Sequence, residues 1–211
     1  MKNIFELYGQ LIDKIGLFEF IKCFTITLGV TLIYFRVFKN FKDARKHKKN
    51  QKREVKSIVE TASMTGFFII IWIVTVNRVG VYNYKNVYLD IFFLIVYVIG
   101  IVFNLLGRYF LGHNWGNNIV IYKNHILVNR GVYKIVRHPL YASIIWMIYS
   151  VGVLFQNYLV IILNTILFIP FMYYRAKQEE KELIKTFKEY KEYQHNIGMF
   201  FPKIIKKKRV K

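Results

Sequence analysis

Cysteine is nearly missing from this chain: Cys23 is the only one in 211 residues. A disulfide framework is thereby excluded, and so are zinc sites built on cysteine pairs. Proline (3) and glycine (12) are scarce, which excludes collagen-like repeats and the composition of disordered chains. Acidic residues are also few: 12 Asp plus Glu stand against 32 Lys plus Arg, a formal net charge of +20. A soluble domain rarely combines that charge with 55% apolar and 18% aromatic residues and a mean hydropathy of +0.26. The combination is reconciled when charged and apolar residues occupy separate stretches. They do so here, as in an integral membrane protein.

A helix needs roughly 20 mostly apolar residues to cross about 30 Å of hydrocarbon. Residues 17–38 form the first candidate, with Glu19 and Lys22 near its start. Residues 64–76 form a shorter one, and residues 87–106 a third with Asp90 close to one end. Residues 140–155 and 158–174 are separated only by Gln156 and Asn157 and read as a tight helical hairpin. Both are a little short, so tilt or local thinning is expected, and Pro170 is expected to kink the last helix. Residues 1–16 carry Glu6 and Asp13 and lack a small-residue cleavage pattern, so they do not read as a cleavable signal. Ile4, Phe5, Tyr8, Leu11, Ile12 and Ile15 share one helical face. That face fits an interfacial amphipathic helix or an extension of the first span.

Charge gives an orientation. Residues 36–56 hold ten Lys or Arg, residues 108–137 five and residues 175–211 twelve, against two in residues 77–86. The positive-inside rule places the three rich segments in the cytosol. The expected fold is therefore an all-α integral membrane protein of about five transmembrane helices, with the N-terminus outside and the C-terminus cytosolic. The chain divides into N-terminal membrane helices (1–106, with the basic loop 36–56), a region 107–202 that includes the hairpin, and a basic tail 203–211. Basic residues beside spans follow from topology and attract anionic membrane lipids. No nucleic-acid fingerprint accompanies them, so a nucleic-acid partner is not expected.

Two segments could carry chemistry. The first, residues 113–141, reads HNWGNNIVIYKNHILVNRGVYKIVRHPLY. Residues 119–122 and 126–128 are short apolar runs broken at Lys123-Asn124, as in a small hairpin-like excursion. Pro139 suits the first turn of the fourth span. His138 and Tyr141 then share a face at a helix N-terminus, where free N–H groups favour a carboxylate. The same pair could equally cap the helix and anchor it at the interface. The second segment, residues 175–193, reads RAKQEEKELIKTFKEYKEY. Arg175 and Glu179 are four apart and share a face. Most such pairs are surface ion pairs of little consequence, but this one lies where the last span leaves the bilayer. Glu179 and Glu180 also stand out on a basic face, where a cationic ligand would need them.

These residues resemble the isoprenylcysteine carboxyl methyltransferase family, whose wider group includes the membrane phospholipid N-methyltransferases. The resemblance is carried by His125-Ile-Leu-Val128, Gly131-Val-Tyr133, Val136-Arg-His-Pro-Leu-Tyr141 and Arg175-x-x-x-Glu-Glu-x-x-Leu183, followed by Phe187, Tyr190 and Tyr193. It covers roughly residues 106–202, with both blocks in order. Lys188 stands where the family commonly has a small residue, often Gly, after the Phe of this block, and Ala142-Ser143 lacks the Gly usual just after the R-H-P-x-Y motif. The resemblance implies S-adenosylmethionine binding without a Rossmann fold, and no G-x-G-x-x-G follows a predicted strand. It implies a cytosolic cofactor pocket formed by the loop before span four and the helix after span five. His125, Ile126, Leu127, Val128, Tyr133, His138, Pro139, Leu140, Tyr141 and Glu179 would line it, with Asn118 on a weaker alignment. Arg175 would meet the substrate carboxylate as the catalytic and substrate-binding residue.

The reaction implied is methyl transfer to a lipid or lipidated acceptor, most simply a carboxylate, in a bacterial plasma membrane. A carboxylate is already ionised at neutral pH, with a pKa near about 4, and needs no base. An amine or hydroxyl acceptor would need one, and His138 is the candidate. No metal is expected. The sequence admits two rival readings: a membrane NADPH-dependent sterol-type reductase, which shares an R-H-P-x-Y segment, and a non-catalytic basic membrane anchor.

Overall fold

The computed structural model describes residues 16–46, 51–55, 61–84, 86–116, 119–123 and 125–203. The expected N-terminal amphipathic helix and nearly all of the basic tail lie outside them. The described chain is mostly helical. Helix α1 spans Leu17–Lys46, α2 Thr61–Val76, α3 Val87–Leu111, α4 Pro139–Leu154, α5 Tyr158–Thr186 and α6 Tyr190–Asn196. Three segments, Leu17–Asp43, Val87–Asn114 and Tyr158–Thr186, are long and apolar enough to cross a membrane; the apolar helices Ser63–Val76 and Pro139–Leu154 are shorter.

The helix ends sort into two groups. At one end, Lys22 Nζ of α1 donates to the Leu154 carbonyl at the end of α4 (3.0 Å). There too the Tyr82 N–H donates to Gln156 O (2.8 Å) and the Tyr158 N–H to Gly80 O (3.0 Å). Asn157 makes the turn between α4 and α5 compact: its Oδ1 accepts from the Val160 N–H (3.2 Å) and caps α5. At the other end lie the C-termini of α1, α3 and α5, so α1 to α5 run alternately. Glu19 and Lys22, out of place in an apolar span, pair with each other. Lys22 also lies over the Phe155 ring (5.3 Å), so its charge is not stranded.

The all-α expectation needs one correction. Strand β1 (Gln51–Val55) pairs antiparallel with β2 (Ile119–Tyr122). The expected excursion pairing 119–122 with 126–128 does not form; β2 takes its partner from the basic loop after α1. The reason is that all four β2 residues are buried, so their N–H and C=O groups require a strand, and 126–128 is diverted toward α3. There Val128 packs with Val132 and Tyr133 against Phe110 and Leu111.

α3 and α4 form the most intimate helix pair. The buried positions of α3 are Tyr97, Gly100, Asn104, Gly107 and Arg108, one face at helical spacing. Lipid-facing helices gain little from apolar burial against each other, so close packing and buried polar contacts must hold them. Gly100 and Gly107 permit that approach: a Cβ on Gly100 would lie 2.6 Å from Met147 Cγ and 3.1 Å from Ser143 O, and one on Gly107 3.0 Å from Leu140 Cδ2. A second contact joins α2 to α5, where Phe67 stacks on Phe168 (4.8 Å). Pro170 has no N–H to offer Ile166. The turn before it, Asn164–Phe168, widens to π-helical geometry, within a helix that runs continuously from Tyr158 to Thr186.

Gly100→Val is expected to lower detergent-state stability by about 1–3 kcal/mol through overpacking. A thermal unfolding curve unchanged from wild type would show that α3 and α4 can separate at no cost.

Candidate active site

The site is built where three pieces of chain meet: the turn Gly131–Lys134 with the residues after it, the start of α4, and the last three turns of α5. Pro139 begins α4 at a position where its missing N–H is not needed. The preceding backbone is fixed from outside. The Arg137 N–H donates to Gly198 O (2.8 Å) and the His138 N–H to Met199 O (3.1 Å). The C-terminal segment thus folds back over the Arg137-His138-Pro139 turn, and Phe200 lies edge-on to the His138 ring (6.3 Å).

Glu180 is the centre of the first cluster. It is 1% exposed and accepts from Arg137 Nε (2.8 Å) and Gln194 Nε2 (2.7 Å). His138 Nε2 lies 3.2 Å from its Oε1. Arg137 also donates from Nη1 to Gln194 O (2.9 Å) and to Ile197 O. The second cluster adjoins it. Arg175 Nε donates to the Tyr141 hydroxyl (3.0 Å), which donates to Glu179 Oε2 (3.1 Å). His138 Nδ1 stands 3.7 Å from the same Oε2, and its ring stacks on Tyr141 (5.5 Å, 10°). His138 therefore bridges the two adjacent glutamates. With both ring nitrogens facing carboxylates, it organises them and has no free nitrogen for a substrate proton.

Around this pair lie the remaining residues named from sequence. The Tyr133 hydroxyl donates to Gly107 O (3.4 Å), and its backbone carbonyl accepts from the Tyr193 hydroxyl (2.6 Å). Burial, reinforced by Glu179, pushes Tyr133 well above the usual tyrosine range, so it stays a neutral donor. His125 packs between Tyr122 (6.3 Å) and Phe187 (5.6 Å), and its Nδ1 is buried without a hydrogen-bond partner. Burial lowers the His125 pKa, with Glu179 acting in the opposite direction. His138, Tyr141, Arg175 and Glu179 are thus brought into contact, with Tyr133 and His125 beside them. Ile126 is 61% exposed, whereas Val128 is buried. Leu140 is half-buried and Pro139 buried. Asn118 lies outside the described residues. Two open clefts of about 340 Å³ flank the site. One is lined by Lys177, Glu180, Lys181, Ile184, Lys185 and Gln194; Leu127 is the expected residue that lines the other.

Sequence reasoning left out Arg137, the anchoring role of Glu180, and the tail at Gly198–Phe200. It also left out Asn104 and Arg108, although an Asn and an Arg four apart in an apolar helix were a usable signal.

Apolar helices of alternating direction, with buried ion pairs gathered at one end, define a multi-pass membrane protein with a polar site at its boundary. Residues 93–185 match the model of the isoprenylcysteine carboxyl methyltransferase (ICMT) family. The protein-S-isoprenylcysteine O-methyltransferase of Saccharomyces cerevisiae is 32% identical over 115 residues, 50% of this chain and 48% of the yeast protein. The methanethiol S-methyltransferase of Pseudomonas deceptionensis is 34% identical over 74 residues, 35% of this chain and 27% of that protein. The chain thus spans about half or less of the length of these curated relatives. The solved structure of the eukaryotic intramembrane Ras methyltransferase ICMT shares the fold. Its TM-score is 0.56 at 19% identity, covering 94% of this chain and 82% of that one.

Two predictions follow from the geometry. Arg137→Met leaves Glu180 buried without its main partner and should destabilise the protein by about 3–5 kcal/mol, more than the double replacement Arg137→Met/Glu180→Met. Equal losses in denaturant titrations would show that the pair is not electrostatically coupled. The folded chain resists protonating His125, whereas the unfolded chain accepts a proton near pH 6.5. Its contribution to stability therefore falls as pH drops below about 6.5. His125→Phe should flatten the slope of melting temperature against pH between about 5 and 7; an unaltered slope would assign it to other groups.

Proposed function

We propose that the protein is a membrane-embedded, S-adenosylmethionine-dependent methyltransferase acting on a lipid or lipidated acceptor, with carboxyl O-methylation as its reaction. The observation that carries this reading is the hydrogen-bonded series Arg175–Tyr141–Glu179 at the end of the bundle. It unites the R-H-P-x-Y turn and the Arg175–Glu179 helix in one place, as a site shared by cofactor and acceptor requires. The names of the relatives favour it over a nicotinamide-dependent reductase or a bare anchor. The alternating helices support five spans with the site, the basic loop and the C-terminus in the cytosol and the N-terminus outside. Basic segments at that face would also hold anionic lipids.

The residues fit the cofactor. Glu179 engages one oxygen, Oε2, with Tyr141, and the buried Nδ1 of His125 lacks a protein partner. A ligand bearing hydroxyl or amino groups would satisfy both. Glu179, His125, Tyr133 and the His138–Tyr141 turn would hold it, with Ile126, Leu127, Val128 and, by alignment, Asn118 at the edge. When bound, S-adenosylmethionine supplies an electrophilic methyl group on a sulfonium. Glu179 offsets the repulsion between that cation and a basic face. Tyr133 and Tyr141 present ring faces or edges that attract a cation by about 1 kcal/mol or more where water is excluded. Arg175 orients the acceptor carboxylate, which guanidinium groups can bind through two parallel hydrogen bonds. No residue needs to remove a proton from a carboxylate that is already ionised. The protein's task is alignment and exclusion of water.

The detergent-purified chain should bind S-adenosylmethionine but not NADPH, and transfer labelled methyl to N-acetyl-S-farnesyl-L-cysteine. Glu179→Ala should lose cofactor binding, and Arg175→Lys should raise the acceptor KM about tenfold or more with cofactor affinity retained. Saturable NADPH binding without S-adenosylmethionine binding would overturn the reading.

A further inference from the structure

Arg108 stands in the last turn of α3, 7% exposed. Its Nε donates to Asn104 Oδ1 (2.9 Å), Asn104 Nδ2 donates to Ser143 Oγ (2.9 Å), and Ser143 Oγ donates to the Leu140 carbonyl (2.8 Å). This series fixes the guanidinium against α4. It occupies only the Nε, and Nη1 is buried with no hydrogen-bond partner. The guanidinium carbon lies 5.8 Å from the Trp115 ring centre, and Trp115 meets Phe41 of α1 edge-on at 5.2 Å. Its electrostatic neighbours include Tyr133, Tyr141 and a second cation, Arg36 of α1. Among the described residues no carboxylate lies within ion-pair distance of Arg108 or Arg36.

A buried arginine serving structure alone is expected to be paired, because an unpaired buried charge is costly. Here the cation is tethered from behind, lies beside an aromatic ring, and has a second cation, Arg36, among its electrostatic neighbours. Tyr141, which accepts from Arg175, is the neighbour that Arg108 and Arg175 share. We propose that Arg108 binds the anionic head of the lipid acceptor, a carboxylate, at the seam of α1 and α3, with Arg175 as the second cation on that group. This rests on the lipid-acceptor reading above and sharpens it: an arginine-lined subsite selects an acid and repels an amine-headed phospholipid.

The test compares N-acetyl-S-farnesyl-L-cysteine with its uncharged carboxamide, both by equilibrium binding to the full chain in detergent, with S-adenosylhomocysteine affinity measured alongside. Wild type should prefer the acid. Arg108→Gln should weaken acid binding about 10- to 100-fold, as expected for a charge-assisted hydrogen bond, with amide and S-adenosylhomocysteine affinities unchanged and KM affected more than kcat. Asn104→Ala, which keeps the charge and removes its tether, should act in the same direction and serves if Arg108→Gln does not fold. The proposal is overturned by unchanged acid affinity in both variants. It is overturned by S-adenosylhomocysteine affinity falling in step, which would assign Arg108 to the cofactor. It is overturned too by a wild type indifferent to acid or amide. Displacement of the acid by phosphatidylglycerol but not by phosphatidylcholine would give the subsite to a phospholipid phosphate, and overturn it likewise. Acid-selective binding that needs Arg108, without methyl transfer by wild type, would uphold this subsite while sinking the catalytic reading.

Discussion

The ion cluster on Glu180 is the interaction on which the rest of the site depends. A carboxylate 1% exposed at the end of a membrane helix is tolerable only when several donors meet it. Arg137 and His138 do so from the loop before α4, and Gln194 from α6. Each donor is itself placed by chain geometry: Arg137 and His138 by backbone bonds to Gly198 and Met199, Gln194 by α6. Joining the α5 end, the loop before α4 and the C-terminal segment at one atom group fixes where the next residue, Glu179, points. Glu179 and Glu180 are about 100° apart around the helix, so locking one toward the tail aims the other at Tyr141 and Arg175.

The membrane core follows a different rule. Its helices have little to gain from burying leucine against leucine when lipid offers the same surroundings. α3 and α4 therefore meet through Gly100 and Gly107 and through Asn104 on Ser143. Asn164 holds the α4 backbone by donating to Ile145 O (3.1 Å). Such bonds contribute on the order of 0.6–2 kcal/mol each in a bilayer. Their greater effect is on register, since a slide of one turn would leave each amide unpaired. Register in the hairpin sets the height of Tyr141 against Arg175 and Glu179, and so connects the middle of the bilayer to the geometry at its edge.

Much of this was legible in the chain. The positions of the apolar helices followed from run length, and their alternation from the spread of lysine and arginine. The Arg175–Glu179 spacing and the R-H-P-x-Y turn marked the two segments that meet. What was hidden is long-range. Nothing local in residues 51–55 announces a strand, because a basic segment becomes one only when a buried partner such as Ile119–Tyr122 needs its hydrogen bonds. Gly198–Phe200 reads as an ordinary tail until Arg137 and His138 claim its carbonyls. Glu180 and Glu179 are alike in sequence, and only burial separates the anchor from the half-exposed carboxylate. Arg108 was passed over as part of a positive-inside count, where charge is tallied without asking whether it is paired.

That last distinction bears on specificity. The chain carries a large excess of cations, and most lie at surfaces where water and lipid headgroups neutralise them at little cost. A buried guanidinium differs, since Nη1 of Arg108 is buried with no hydrogen-bond partner in the protein. Arg137 shows what the protein does with a structural arginine: it pairs Nε with a carboxylate and Nη1 with two carbonyls. Arg108, a comparably buried side chain, receives one side-chain amide. The contrast between two arginines in one site argues that the second keeps capacity in reserve for a ligand. On the reading proposed above, Arg108 and Arg175 would read the anionic acceptor, while Glu179, joined to Arg175 through Tyr141, would meet the cationic cofactor.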